Sequence, residues 1–103
     1  MRAYLLVRHR IQEWSRFNKA FEESEDRRRE YGLMAGTITR NAERPDEVIV
    51  LIQCRDLEMA KEFMKSDYMK QAMEKAGLTD APDIYYLEEV ADVPEPVAGQ
   101  VEI

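Results

Sequence analysis

The sequence predicts an α+β domain with four strands and two helical regions in the order β-α-β-β-α-β. Short continuous apolar runs are typical of strands covered on both faces. Between them, apolar residues recur at spacings of three and four, which is the pattern of a helix with one buried face. This order is that of a ferredoxin-like sheet, in which the strands lie in the order 4-1-3-2 and the helices cover one face. A chain of 103 residues fits one such domain with one core.

The first half of the domain is predicted from residues 3–31. Residues 3–9 form an apolar run that we interpret as strand 1. Residues 12–31 are predicted to form one helix with Gly32 behind it, where a helix commonly ends in a left-handed residue. The stripe at spacings of three and four along this helix consists of Trp14, Phe17, Phe21, Ser24, Arg28 and Tyr31.

The second half follows the same logic. Residues 33–41 and 47–54 are predicted strands joined by a short polar turn that contains a proline and an aspartate. Asp56 and Ser66 are good helix caps, so the second helical region is predicted to be divided in two, with Gly77 at its end. Strand 4 is predicted over residues 83–90 after Pro82.

The central strands 1 and 3 are apolar on both faces of the sheet, but the helices cover only one of these two faces. A second copy of the chain is the economical cover for the other face, so a homodimer is expected. The sequence therefore divides into a domain over residues 1–91 and a tail over residues 92–103 with two prolines and no basic residue. We predict that this tail is an extended arm across the dimer interface. A frayed end is the alternative.

Composition limits the classes of partner. The net charge is −6, which argues against nucleic-acid or membrane binding, since both need clustered lysine and arginine. The one basic cluster, residues 27–29, is flanked by acids, so we interpret it as a solvated helix face. One cysteine and one histidine predict no disulfide and no zinc site. The short apolar run at the N-terminus predicts neither a signal peptide nor a membrane span, so a cytoplasmic protein is expected.

The single histidine, His9, ends strand 1. Residues alternate between the two faces of a strand, so His9 shares a face with Leu5, Val7 and Ile11 and is expected to point toward the helices. Imidazole exchanges protons near neutral pH, which makes His9 a candidate catalytic acid or base. The alternative is a hydrogen-bonded histidine that closes the end of the sheet.

Four aromatic residues and one methionine complete the candidate site. Tyr85 and Tyr86 in strand 4 face opposite sides, so one of the two is expected beside His9 as a catalytic partner that polarises a carbonyl. Trp14, Tyr68 and Met64 are candidates for substrate binding. Ordinary strand or helix packing is the alternative for each of these five residues.

Two segments carry a resemblance to a known family. These are the "H-x-I-x-E-W-x-x-F" entry into helix 1 and the "SDYMKQAMEKAGL…PDIYYLEEV" segment. With the sheet order, they resemble the dimeric α+β barrel superfamily, and within it small proteins of the antibiotic biosynthesis monooxygenase-like and cyclase-like groups. The resemblance implies two sheets packed face to face across a dimer, with a pocket between sheet and helices in each subunit. The superfamily includes cofactor-independent oxygenases, polyketide cyclases, lactone isomerases, haem-degrading enzymes and proteins with no known reaction.

The haem branch is discounted because its axial histidine lies on a helix and His9 lies on a strand. The expected function is the binding of a small apolar or aromatic, polyketide-like molecule, with two interpretations open. One is a cofactor-independent oxygenase or cyclase/isomerase that begins from an enolate or phenolate. The other is a non-catalytic ligand-binding or stress-associated dimer. The sequence shows no metal site and no glycine-rich phosphate loop, so no cofactor is expected.

Overall fold

The computed structural model describes residues 1–96 and contains one four-stranded antiparallel sheet with helices on one face. The strands are β1 (Ala3–Arg10), β2 (Leu33–Arg40), β3 (Glu47–Cys54) and β4 (Asp83–Glu88), and the helices are α1 (Trp14–Glu23), α2 (Glu25–Glu30), α3 (Leu57–Lys65) and α4 (Asp67–Ala76). Along the sheet the order is β2-β3-β1-β4. This is the predicted order 4-1-3-2, so the α+β, ferredoxin-like fold class is confirmed.

The helices of the second helical region begin and end at the caps that the sequence predicts. The Asp56 carboxylate accepts a hydrogen bond from the Glu58 amide at 2.8 Å, and the Ser66 hydroxyl accepts one from the Met69 amide at 3.2 Å. Gly77 ends α4 with φ of +74°, a conformation that costs glycine little because it has no Cβ. These local signals divide the second helical region in two.

The prediction of one helix over residues 12–31 is wrong, because the helix divides at Ser24. The Ser24 hydroxyl donates to the Phe21 carbonyl oxygen at 2.9 Å, and the Arg28 guanidinium donates to the same oxygen. Side chains that bind a helix carbonyl compete with the regular backbone hydrogen bonds and bend the helix. The break leaves α1 and α2 as separate segments, and Arg28 braces the junction.

The core lies between the sheet and the helices. Its sheet side consists of alternate residues of the two central strands, and its helix side is formed mainly by Phe17, Ala20, Ala60 and Phe63. The opposite face of the sheet carries no helix within residues 1–96. The last described residues, 91–96, have no regular secondary structure and are exposed. The rest of the predicted tail, residues 97–103, lies outside the described residues, so the arm stays a prediction.

Candidate functional site

An apolar cavity lies between the sheet and the helices and runs along β1. Its cavity volume is about 60 Å³, and the free space grows to about 550 Å³ when the open solvent at its mouth is included. Its floor is formed by β1 and β3 and its roof by α1, α3 and α4. Most of the lining is aliphatic, aromatic or thioether, and the polar side chains among the lining residues of the described chain are His9, Ser24 and Arg28. Ligand sites are commonly concave and apolar with a few placed polar groups, and this cavity has that composition.

His9 lies in the wall of the cavity and faces the helices. It pairs with Val48 across the sheet, and its side chain is 7% exposed. Its ring centre is 5.4 Å from that of Phe17, at an interplanar angle of 58°. The predicted orientation toward the helix layer is therefore what the structure shows.

The Nδ1 atom of His9 is buried and has no hydrogen-bond partner within residues 1–96. Burial without a compensating charge lowers the pKa of His9 to about 4, because the charged imidazolium is poorly solvated there. The imidazole is therefore neutral near pH 7 and has a free polar atom. Buried polar atoms without a partner are rare in native proteins, and a polar group of a bound ligand would satisfy this one.

The strand 4 tyrosines do not meet His9. Tyr86 faces the helix side but pairs with Leu5, four residues from His9 along β1, which separates the two positions by about 13 Å at the usual rise of a strand. Tyr86 packs against the core, and burial raises its pKa. Tyr85 is 54% exposed and lies opposite Leu6 on the open face of the sheet. Neither hydroxyl lies where the predicted pairing with His9 requires it.

The three predicted binding residues lie in different places. Met64 lines the cavity. Trp14 is the first residue of α1, is 42% exposed and stands 5.9 Å from Phe17, ring centre to ring centre, but it does not line the cavity. Tyr68 borders a shallow depression between α1 and α4 instead. The structure thus joins His9 and Met64 in one cavity and leaves Trp14 and Tyr68 outside it.

Arg28 is a candidate site residue that the sequence does not predict. The prediction of a solvated helix face over residues 27–29 is wrong for Arg28, because its side chain is half-buried and lines the cavity. Its Nη1 donates to the Ser24 hydroxyl at 2.6 Å, and its guanidinium carbon lies 3.7 Å from the centre of the Phe21 ring. Burial lowers the pKa of Arg28, and the nearby Glu25 acts in the opposite direction. The spacing of residues 17, 21, 24 and 28 was the signal that placed it on the inner stripe.

Cys54, the single cysteine, is buried at the end of β3. Burial raises the pKa of its thiol, so the less nucleophilic, protonated form is favoured. Cys54 is part of the apolar core and packs there as a small side chain.

The open face of the sheet is the second apolar surface of the molecule. Leu6 lies between Leu51 on β3 and Tyr85 on β4, and the next row contains Tyr4 and Leu87. Leu51, Tyr85 and Leu87 are among the exposed large apolar side chains. Arg8 marks the border of this patch, where it forms ion pairs with Glu47 and Asp83.

Comparisons with solved structures agree with the predicted resemblance. A candidate antibiotic biosynthesis monooxygenase from Caulobacter crescentus is 21% identical, with a TM-score of 0.68 over 87% of this chain and 91% of that one. Another from Bordetella bronchiseptica is 10% identical, with a TM-score of 0.73 over 87% and 98%. SnoaB, a cofactor-independent oxygenase from Streptomyces nogalater, is 10% identical, with a TM-score of 0.72 over 91% and 98%.

At these identities the likeness shows a shared fold, that of antibiotic biosynthesis monooxygenase-like proteins. No protein-family model and no curated protein sequence matches the chain. Within residues 1–96, no helix has the length and apolar character needed to cross a membrane.

Proposed function

We propose that this protein binds a small, flat, apolar molecule with an acidic hydroxyl or carbon acid, and that His9 accepts its proton. The observation that carries the proposal is the unpartnered Nδ1 of His9 in the wall of an apolar cavity. A phenol or enol that enters the cavity supplies the missing donor. Its aromatic body would lie among Phe17, Phe21 and the methionines of α3 and α4.

The low pKa of His9 makes it a weak base in the free protein. A phenolate or enolate beside the ring changes this, because an opposite charge within a few ångströms favours the imidazolium. In a site that excludes water such a pair is attracted strongly. Proton transfer and ligand ionisation are therefore coupled, and His9 becomes basic only when an acidic ligand is bound.

The oxygenase reaction is supported by the shared fold with SnoaB, a cofactor-independent oxygenase. An activated methylene, such as that of anthrone, loses a proton to His9 and becomes an electron-rich carbanion that reacts with O2 from solution. The balanced outcome is a ketone plus one water: the carbon gives up four electrons and O2 accepts four. In a cyclase or isomerase, the same carbanion would instead form a carbon bond or take a proton back at another carbon, and no O2 would be consumed.

Anthrone is the probe that separates these outcomes. We expect the wild-type protein to speed the uptake of one O2 per anthraquinone formed, and His9→Gln to lower this rate by about a hundredfold or more, as for loss of a general base. Without O2, in D2O, the wild type should still exchange the acidic C–H for deuterium. Equal rates for the wild type, His9→Gln and buffer would contradict the proposal.

Non-catalytic ligand binding is the second candidate, and one observation favours it. The predicted reaction needs a tyrosine hydroxyl beside His9 to polarise a carbonyl, whereas Tyr86 pairs with Leu5, four residues from His9 along β1. For a binding protein, anthrone or a phenol would raise the melting temperature, while deuterium exchange and O2 uptake would match the buffer control.

A second copy of the chain is the proposed cover of the open sheet face. The apolar row Tyr85, Leu6 and Leu51 crosses the middle of the sheet, whereas charged side chains border it. A face of this kind is apolar enough for a dimer interface. In sedimentation, the wild type and the exposed-helix control Gln71→Lys should be dimers, and Leu51→Lys should be a monomer. A stable, folded wild-type monomer at micromolar concentration would contradict this assembly.

The cytoplasm is the proposed location, because the single cysteine is a buried, free thiol, as expected in a reducing compartment. Fractionation of the native cells is the direct test. Recovery of the protein in an extracytoplasmic fraction would contradict it.

A further inference from the structure

The cavity has a charged end that the proposed chemistry at His9 does not use. His9 lies where β1 leaves the sheet, and Arg28 lies on α2, near the opposite end of the strands. The rings of Phe17 and Phe21 connect them along one wall. The successive separations of 5.4, 6.0 and 3.7 Å place the guanidinium carbon within about 15 Å of the imidazole.

Some hydrogen-bond donors of the Arg28 guanidinium are unused within the described residues. Its Nη1 is used by Ser24 and by the Phe21 carbonyl, but Nε and Nη2 donate to no acceptor among residues 1–96. The side chains of the two neighbouring arginines contact other groups. Arg29 pairs with Glu25 at 3.0 Å, and Arg27 lies over the Tyr68 ring at 5.0 Å. The part of the chain that the structure describes thus leaves the inner arginine of the triplet without a carboxylate of its own.

The surface outside this end is also basic. A polar depression borders the cavity at Arg28, and its charged lining consists of Arg28, Arg29, Arg55 and one acid, Glu25. This local excess of positive charge stands out in a chain with a net charge of −6. A concave basic end next to an apolar interior attracts an anion that carries an apolar body.

We propose that Arg28 binds a carboxylate at one end of the ligand, while His9 faces a hydroxyl or enol at the other end. This inference rests on the proposed function of the cavity, which it extends to a substrate class: elongated aromatic acids. The guanidinium presents parallel N–H donors that match the two oxygens of a carboxylate. Because this path through the rings is an upper limit, the acidic group and the hydroxyl of the ligand lie at most about 9 Å apart after two hydrogen bonds are allowed for.

A fused two-ring acid with substituents at opposite ends has nearly this length, so 6-hydroxy-2-naphthoate is the probe. Its primary amide, 6-hydroxy-2-naphthamide, has the same shape without the charge. In calorimetric titrations near neutral pH, the wild type should bind the carboxylate at least about tenfold more tightly than the amide. This comparison needs no variant, so it stands even if substitution at Arg28 unfolds the protein.

Variants then assign the preference to one side chain. Arg28→Gln should weaken carboxylate binding until the carboxylate no longer binds more tightly than the amide. Arg27→Gln makes the same change of net charge on the same helix, outside the cavity, and should keep the preference. The melting temperature of Arg28→Gln reports separately on the loss of the Arg28–Ser24 hydrogen bond. If Arg28 had a purely structural role, the variant would be less stable but would still bind the carboxylate more tightly than the amide.

The failures are distinguishable. If the wild type binds neither compound, the proposed function of the cavity fails and this inference fails with it. If it binds both equally, or if Arg28→Gln keeps the carboxylate preference, the ligand cavity stands and the role of Arg28 is wrong.

Discussion

Replacing His9 by glutamine removes the only imidazole of the chain and, with it, one pH-dependent contribution to the free energy of unfolding. In the folded protein the pKa of His9 is about 4, because burial opposes the charged form, and in the unfolded chain it returns to about 6.5. The unfolded chain therefore binds this proton first as the pH falls, so acid favours unfolding.

The sign and size follow from these two values. The contribution of His9 is fully present above about pH 6.5 and is lost progressively as the pH falls to about 4. At about pH 5 the loss amounts to about 2 kcal/mol relative to neutral pH. Carboxylates also begin to titrate in acid, but they are common to the wild type and to His9→Gln. The difference between the two proteins isolates the imidazole.

Urea denaturation at about pH 7.5 and about pH 5 is the assay, followed by far-ultraviolet circular dichroism. We expect the wild type to lose about 2 kcal/mol more than His9→Gln between these conditions. Equal losses would contradict the low pKa of His9, because they would mean that the folded protein protonates His9 as readily as the unfolded chain does.

Three further predictions test the fold. Phe63→Ala should lower the free energy of unfolding by about 3–5 kcal/mol, because Phe63 is almost fully buried; a loss below about 1 kcal/mol in urea denaturation would contradict this packing. Gly36→Ala should cost about 1–3 kcal/mol and speed amide exchange in β2, because a Cβ there would lie 2.3 Å from the Leu51 carbonyl oxygen; an unchanged exchange rate would oppose this. Deletion of residues 92–103 should lower the melting temperature and weaken the dimer if the tail is an arm, and no change would identify a frayed end.

Local signals in the sequence were enough for the sheet order and for the division of the second helical region. Asp56, Ser66 and Gly77 act within one turn of their own positions, so their effects do not depend on the rest of the fold. Alternation along β1 likewise placed His9 on the helix side, because the faces of a strand follow directly from residue order.

The arrangement of the site depends on longer-range geometry. Alternation predicts which face of the sheet Tyr86 lies on, but it does not predict the position of Tyr86 along the strands. The antiparallel register sets that position, and it pairs Tyr86 with Leu5, far from His9. The acids that flank Arg28 in the sequence favour an exposed side chain. Its hydrogen bond to Ser24 at the helix break and its contact with the Phe21 ring instead place it at the cavity. Trp14 occupies the first turn of α1, where part of its ring remains in solvent.

We expect His9 to be neutral in the free protein and to accept a proton from a bound acidic hydroxyl. Because the chain has one histidine, 15N-histidine labelling gives nuclear magnetic resonance signals from this ring alone. The test is a titration near pH 6 with 4-nitrophenol, whose phenolate is coloured. We expect a neutral imidazole that becomes an imidazolium as ligand binds, together with phenolate absorption. An imidazole that is already protonated without ligand, or that stays neutral at saturation, would contradict it.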